Sequence, residues 1–300
     1  MMITGLHTAI VTPFTASGDL DLPAFKRLLD RQIDGGVDGV VVCGSTGEGA
    51  TLSTEEKITL WRTAVDHVAG RIPITAGAGT NDTRSTIALA TAAVNAGVQA
   101  LLLVTPYYNK PTHEGLLAHF RAVNDAVNVP LIIYNVPGRT GQNVSAATQV
   151  AIAEACPNVV ATKEASANLS QMSEIIGNAP SHFSLLAGDD DLALPAIACG
   201  ATGVIAVMSN YYPRVYGALI RAARSGDMAT AQAIQKYLMP WYRANFLESN
   251  PLPVKYILHK LGHITNTFRL PLVPPTSATC ATLDAMVPSI DDSWTPTEGA

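Results

Sequence analysis

Eight short apolar runs, each followed by an amphipathic segment, constrain the fold of this chain more than any other feature. The runs are Ala9–Thr12, Gly39–Cys43, Ile72–Ala76, Ala100–Thr105, Leu131–Asn135, Val159–Lys163, Ser184–Ala187 and Gly203–Ala206. Apolar and β-branched residues fill most of them without polar alternation, the pattern of strands buried on both faces of a parallel sheet. Helical stretches follow over Pro23–Gly35, Thr54–Val68, Thr83–Ala96, His113–Ala126, Ser145–Ala155, Asn168–Gly177, Asp190–Cys199 and Tyr211–Arg224. Most strand starts lie 25 to 35 residues apart, the span a βαβ crossover needs. Ser53 with Glu56 is a capping box ahead of the second helix, and Gly35-Gly36, Gly97 and Gly200 mark helix ends.

Eight such units close into a barrel, whereas an open doubly wound sheet needs a topological switch and usually a phosphate-binding glycine loop. That loop is missing. Gly44-Ser45-Thr46-Gly47 is followed by no GK[ST], and Gly77-Ala78-Gly79 lacks the third glycine of a dinucleotide fingerprint. The expected architecture is an α/β TIM (β/α)8 barrel over residues 1–225 with a C-terminal helical extension over 226–300. In that extension Asp227–Phe246 and Val254–Leu261 read as helices with no strand between them. The proline-rich Leu270–Pro275 precedes a last short helix, and Ile290–Ala300 reads as a frayed end.

At 48% hydrophobic and 14% charged residues the chain is far from a disordered composition. A net charge of −5 without any basic block argues against nucleic acid and anionic membranes as partners. No apolar stretch is long enough to cross a bilayer, and the first residues lack the basic and apolar regions of a signal peptide. Cys43, Cys156, Cys199 and Cys280 are dispersed with no CxxC, which suggests neither a zinc site nor a disulfide framework. Cys43 and Cys199 read as core thiols, and the expected location is cytoplasmic.

Barrel chemistry gathers at the C-terminal ends of the strands. There this chain places Gly44–Glu48, Thr105–Asn109, Tyr134–Gly141, Lys163-Glu164 and Gly188–Asp190. Lys163 closes a buried strand, where desolvation disfavours the charged form of an amine and leaves it free to attack a ketone. The bland reading is a lysine snorkelling to water. Its company decides against that: one amine, one guanidinium, several hydroxyls and phenols on one mouth suit imine chemistry. Asp189-Asp190-Asp191 reads as an N-cap with an acidic first turn rather than a metal cluster. His259 and His263 have no adjacent glutamate and make no metalloprotease site.

Together, Gly44–Glu48, Val104–Asn109, Tyr134–Gly141, Thr162–Ala165, Gly188–Asp190 and Asn250–Lys255 resemble the motifs of the dihydrodipicolinate synthase and N-acetylneuraminate lyase superfamily. Its members are pyruvate-dependent class I aldolases, and the resemblance runs from about Gly5 to Leu272. Tyr134–Gly141 and Asn250–Lys255 are most similar to the synthases. In them the arginine matching Arg139 holds the carboxylate of aspartate 4-semialdehyde, a task that suits a bidentate guanidinium.

The resemblance implies that Lys163 forms a Schiff base with pyruvate, with Tyr134, Ser45 and Tyr108 as the proton relay. Thr46 and Ile205 would hold the pyruvate carboxylate, and Arg139, Gly188 and Asn250 would complete substrate binding. Tyr107 would cross from a neighbouring subunit, in a homotetramer built as a dimer of dimers. No metal or organic cofactor is implied. The implied product is 4-hydroxy-tetrahydrodipicolinate, on the diaminopimelate route to lysine. The alternative is another pyruvate aldolase, acting on N-acetylneuraminate, 4-hydroxy-2-oxoglutarate or a 2-keto-3-deoxy sugar acid. A non-catalytic barrel that binds oxo acids is the rival from another class.

Two departures from the family pattern stand out. Ser45 replaces a threonine common in synthases, which keeps the hydroxyl but loses the methyl that restrains χ1. Lysine-inhibited members bind lysine at a subunit interface, where histidine and glutamate are replaced here by Lys57 and Ser85; Asn81 and Tyr107 remain. An ammonium repels the effector's own, and serine supplies no anion, so weak or absent lysine inhibition is expected.

Overall fold

The computed structural model describes residues 3–296. Eight parallel strands form a closed barrel in sequence order. They are β1 (Gly5–Ala9), β2 (Gly39–Val42), β3 (Ile74–Gly77), β4 (Ala100–Val104), β5 (Leu131–Asn135), β6 (Val159–Glu164), β7 (Ser184–Ala187) and β8 (Gly203–Ala206). The ring closes where Gly5, Leu6, His7 and Thr8 of β1 pair with Gly203 through Ala206 of β8. At that seam a β-carbon on Gly203 would lie 2.0 Å from the carbonyl oxygen of Gly5, so only glycine permits closure.

The period-two alternation of each strand divides the core into two layers. Ala9, Val41, Leu102, Ile132, Tyr134, Leu186 and Ile205 fill the barrel interior. Val40, Val42, Leu101, Leu103, Leu131, Ile133, Leu185 and Val204 face the other way and pack with the surrounding helices. Both strand faces are dry, which is why the runs read as continuous apolar segments.

β1 lies earlier than the expected Ala9–Thr12. Its His7 and Thr8 are polar but buried, with His7 Nε2 3.1 Å from Thr4 O and Thr8 Oγ1 bonded to Gln32 and Ser209. An apolar scan passes over such residues. The more apolar Ile10-Val11 has already left the strand, and the Val11 N–H donates to Asn210 Oδ1.

The capping box is formed: Glu56 N–H donates to Ser53 Oγ at 3.2 Å and Ser53 N–H to Glu56 Oε2 at 2.9 Å. The helix expected over Asp190–Cys199 is instead a 3₁₀ turn, Asp190–Leu192, continued by Ala193–Ala198. Asp189 makes no side-chain cap there. The buried Asp190 carboxylate accepts the N–H groups of Val207 and Met208 at 2.7–3.2 Å, tying β7 to the turn after β8. Cys43 is buried as expected, but Cys199 is exposed at the end of its helix.

Beyond Gly226 come the helices Met228–Ala244, Leu252–Lys260 and Ser277–Met286. The expected fraying from Ile290 does not hold for the described part of the end. Trp294 stacks on Tyr237 with ring centroids 4.1 Å apart, and Asp292 accepts N–H groups of Arg214 and Val215. Residues 297–300 lie outside the described residues. No helix among the described residues is long and apolar enough to cross a membrane.

Candidate active site

Tyr134 and Lys163 are register partners on β5 and β6. Which face they occupy depends on one irregularity. Leu131 pairs with Val159 and Ile132 with Ala161, so Val160 is an extra residue in β6. Val160 and Ala161 both belong to the interior cluster, and the parity of the strand flips between them. Without that bulge Lys163 would face the helices. With it, Lys163 and Tyr134 lie side by side inside the barrel, each less than a tenth exposed. The ammonium nitrogen sits 4.4 Å from the centroid of the Tyr134 ring, an amine held over a phenol in a nearly dry chamber.

Behind this pair, on the helix side, lie its sequence neighbours Asn135 and Glu164. The Glu164 carboxyl is fully buried and accepts only N–H donors. They are Asn135 Nδ2 at 2.9 and 3.1 Å, Gln149 Nε2 at 2.7 Å, Gln171 Nε2 at 3.3 Å and the Ser166 N–H at 3.0 Å. The amides are themselves tied to Thr162, Asn143 and Val144. This cage locks β5 to β6 at the step where Tyr134 meets Lys163. Every acceptor position is matched to a donor, so the group is satisfied without a cation.

The mouth opens into a cleft of about 440 Å³ whose lining includes Ser45, Tyr107, Tyr134, Arg139 and Asn250. Arg139 is held by a short helical turn, Pro137–Thr140, not anticipated from the sequence because it is a single turn. Proline at its first position and Gly141 in the left-handed conformation at its end define that turn. Arg139 Nη2 donates to the Asn250 carbonyl at 3.0 Å, which aims the guanidinium while its other donors remain for a ligand. Asn250 Nδ2 donates to Thr46 Oγ1 at 2.9 Å. Asn250 therefore touches both groups named for carboxylate binding, Arg139 by its backbone carbonyl and Thr46 by its side-chain NH2.

Of the remaining residues, Ile205 is buried in the interior cluster with Tyr134 and Leu186. Gly188 bridges β6 and β7 by donating its N–H to Glu164 O at 2.7 Å, where a β-carbon would meet Ala165 at 2.5 Å. The sequence reading assigns the crossing role to Tyr107, and the tyrosine pair divides the other way. Tyr107 lines the cleft of this same chain, whereas Tyr108 is 89% exposed with φ of +72°. Such a conformation is uncommon for a bulky side chain and points to a functional constraint. Tyr108 is not brought to Tyr134 within the chain.

Burial pushes the Asp189 carboxyl above its usual range, with the positive charge of Lys163 opposing. Burial likewise lowers Lys57, which also lines the cleft. Two charged residues that sequence reasoning quoted only inside motifs prove central to the loop. Glu48 and Lys255 are both completely buried and form an ion pair. The available signal was one lone charge in each of two otherwise weakly charged motifs. The cage around Glu164 had no comparable signal, since its amides come from three separate elements.

Comparison with known proteins adds to this geometry. The dihydrodipicolinate synthetase family model matches residues 2–289. The 4-hydroxy-tetrahydrodipicolinate synthase of Maridesulfovibrio salexigens is 46% identical over 287 residues, covering 96% of this chain and 98% of its own length. The crystal structure of dihydrodipicolinate synthase from Aquifex aeolicus matches with a TM-score of 0.94 at 41% identity, covering 96% of this chain and 98% of that one. The chloride-inhibited enzyme from Acinetobacter baumannii, solved in complex with pyruvate, matches with a TM-score of 0.93 at 38% identity. It covers 96% of this chain and 98% of its own.

Proposed function

The chain belongs to the dihydrodipicolinate synthetase family, and on that premise we propose that it condenses pyruvate with L-aspartate 4-semialdehyde to 4-hydroxy-tetrahydrodipicolinate. It is a lyase of lysine biosynthesis, and the observation that carries the reading is the buried Lys163 lying over Tyr134, whose side chain lines a cleft walled by Arg139.

The amine of Lys163 attacks the ketone carbon of pyruvate, and water leaves to give an iminium. Tyr134 and Ser45 move the protons of that step. Thr46 and Ile205 border the pyruvate end, Thr46 supplying a hydroxyl already oriented by Asn250. Loss of a methyl proton gives the enamine, whose carbon attacks the aldehyde of the second substrate while Arg139 grips that substrate's carboxylate. The substrate's amino group then adds to the iminium carbon and expels Lys163, closing the ring. The reaction uses no cofactor besides this covalent lysine.

Tyr108, projecting into solvent, is the tyrosine suited to complete the relay of a neighbouring protomer, and Tyr107 serves its own cleft. A dimer is the smallest assembly with complete sites, and a pair of dimers makes the tetramer.

The test is turnover with the purified protein. Product formation from pyruvate and the semialdehyde supports the reading, and Arg139→Ala is expected to lower kcat/KM for the semialdehyde about 100-fold or more, from two charge-assisted hydrogen bonds. Pyruvate imine formation should persist in that variant. Unchanged semialdehyde turnover in Arg139→Ala would overturn the role of Arg139, and a wild type that forms no product from the semialdehyde would transfer the chain to a different pyruvate aldolase.

A further inference from the structure

We propose that Lys255 is a positioning residue for pyruvate capture, acting through Glu48 on the loop that presents Thr46; this rests on the reading of Thr46 as a pyruvate-carboxylate group. Lys255 lies 207 residues from Glu48 in sequence, on the helix Leu252–Lys260 of the C-terminal part. Its ammonium contacts the Glu48 carboxylate and the Thr267 carbonyl at 2.7 Å, and stands over the rings of Phe14 at 4.5 Å and Phe268 at 4.7 Å. The second Glu48 oxygen accepts the N–H of Arg269 at 3.3 Å.

A fully buried ion pair is weak evidence for a stability role, because apolar residues of similar volume commonly do as well or better. Its location suggests a different purpose. Glu48 ends the five-residue loop Gly44–Glu48 and holds φ of +53°, a left-handed conformation that a side chain disfavours. Thr46 is two residues away. The segment Asn250–Lys255 thus grips this loop twice, at Thr46 through Asn250 Nδ2 and at Glu48 through Lys255 Nζ. The first grip orients a hydroxyl; the second fixes the backbone that carries it. Neither Glu48 nor Lys255 touches Lys163 or Tyr134 among the described contacts, so the imine-forming pair is left intact when they change.

The experiment compares the wild type with the double variant Glu48→Gln/Lys255→Met, which removes both charges and keeps both volumes. Pyruvate is titrated in borohydride trapping, with the melting temperature recorded alongside. The expected result is a folded variant whose half-saturating pyruvate rises about tenfold, the loss of roughly one well-oriented hydrogen bond, with the trapping rate at saturation within about threefold. Glu48→Gln alone, which leaves Lys255 an acceptor oxygen, should give a smaller rise and supplies the test if the double variant does not fold. A folded variant with wild-type pyruvate half-saturation overturns the proposal, as does a fall confined to the saturating rate. Failure of the wild type itself to trap pyruvate would instead strike the functional reading.

Discussion

Replacing Glu164 by glutamine tests the cage that sets the Lys163–Tyr134 register. Four N–H groups now converge on the carboxyl, one each from Asn135, Gln149, Gln171 and Ser166. A glutamine keeps one carbonyl oxygen able to accept about two of them and turns an amide NH2 toward the rest. Two donors then lose their acceptor, and two new hydrogens gain none, in a site with no solvent exposure. At about 1.5–3 kcal/mol for each lost bond to a charged group, the substitution should cost about 3–6 kcal/mol. For a chain of this size that is a fall in melting temperature of about 5–15 °C. Calorimetry reads the stability, and pyruvate trapping at a temperature where the variant is folded reads the position of Lys163, whose rate should fall while pyruvate half-saturation holds. A melting temperature within about 2 °C of wild type refutes the reasoning, because two buried donors cannot be left without an acceptor at no cost.

Asp190 supplies a pH test. Burial raises its pKa to about 6 despite the N–H bonds from Val207 and Met208. An unfolded aspartate titrates near 4, so the folded state binds the extra proton between these values, and this stabilisation, about 3 kcal/mol, is complete below about pH 4 and lost as pH rises through about 6. Urea midpoints from pH 4 to 7 should therefore show Asp190→Asn gaining on the wild type as pH rises, and a flat difference would discard the assignment. Lysine should inhibit weakly or not at all. Lys57 and Tyr107 both line the cleft wall, and both the Ser85 N–H and its hydroxyl are already committed to Asp82. An inhibition constant below about a millimolar, the affinity of an ordinary specific site, would sink that expectation.

The strands and helices were legible because a barrel strand is dry on both faces and helices carry their own punctuation, as in Ser53 with Glu56. What escaped was parity and partnership. No scan of Val159–Glu164 reveals that Val160 is a bulge, yet that residue decides whether Lys163 enters the barrel. His7 and Thr8 concealed β1 because they are polar yet buried, Thr8 being satisfied by Gln32 and Ser209, which lie far off in sequence. The strap from Asp292 to Trp294 read as loose because its partners, Arg214, Val215 and Tyr237, lie outside its own local pattern. Cys199 looked like a core residue from its apolar neighbours, but it follows the last turn of its helix and so faces outward. Tyr107 and Tyr108 are indistinguishable by type, and only the left-handed backbone at Tyr108 separates their directions.

The most direct test of the account is reduction with borohydride in the presence of pyruvate, followed by mass spectrometry of the intact chain and its peptides. The account predicts one reduced pyruvyl group per chain, carried by Lys163 and not by the buried Lys255 or the cleft-wall Lys57. No adduct, or an adduct on another lysine, would contradict it.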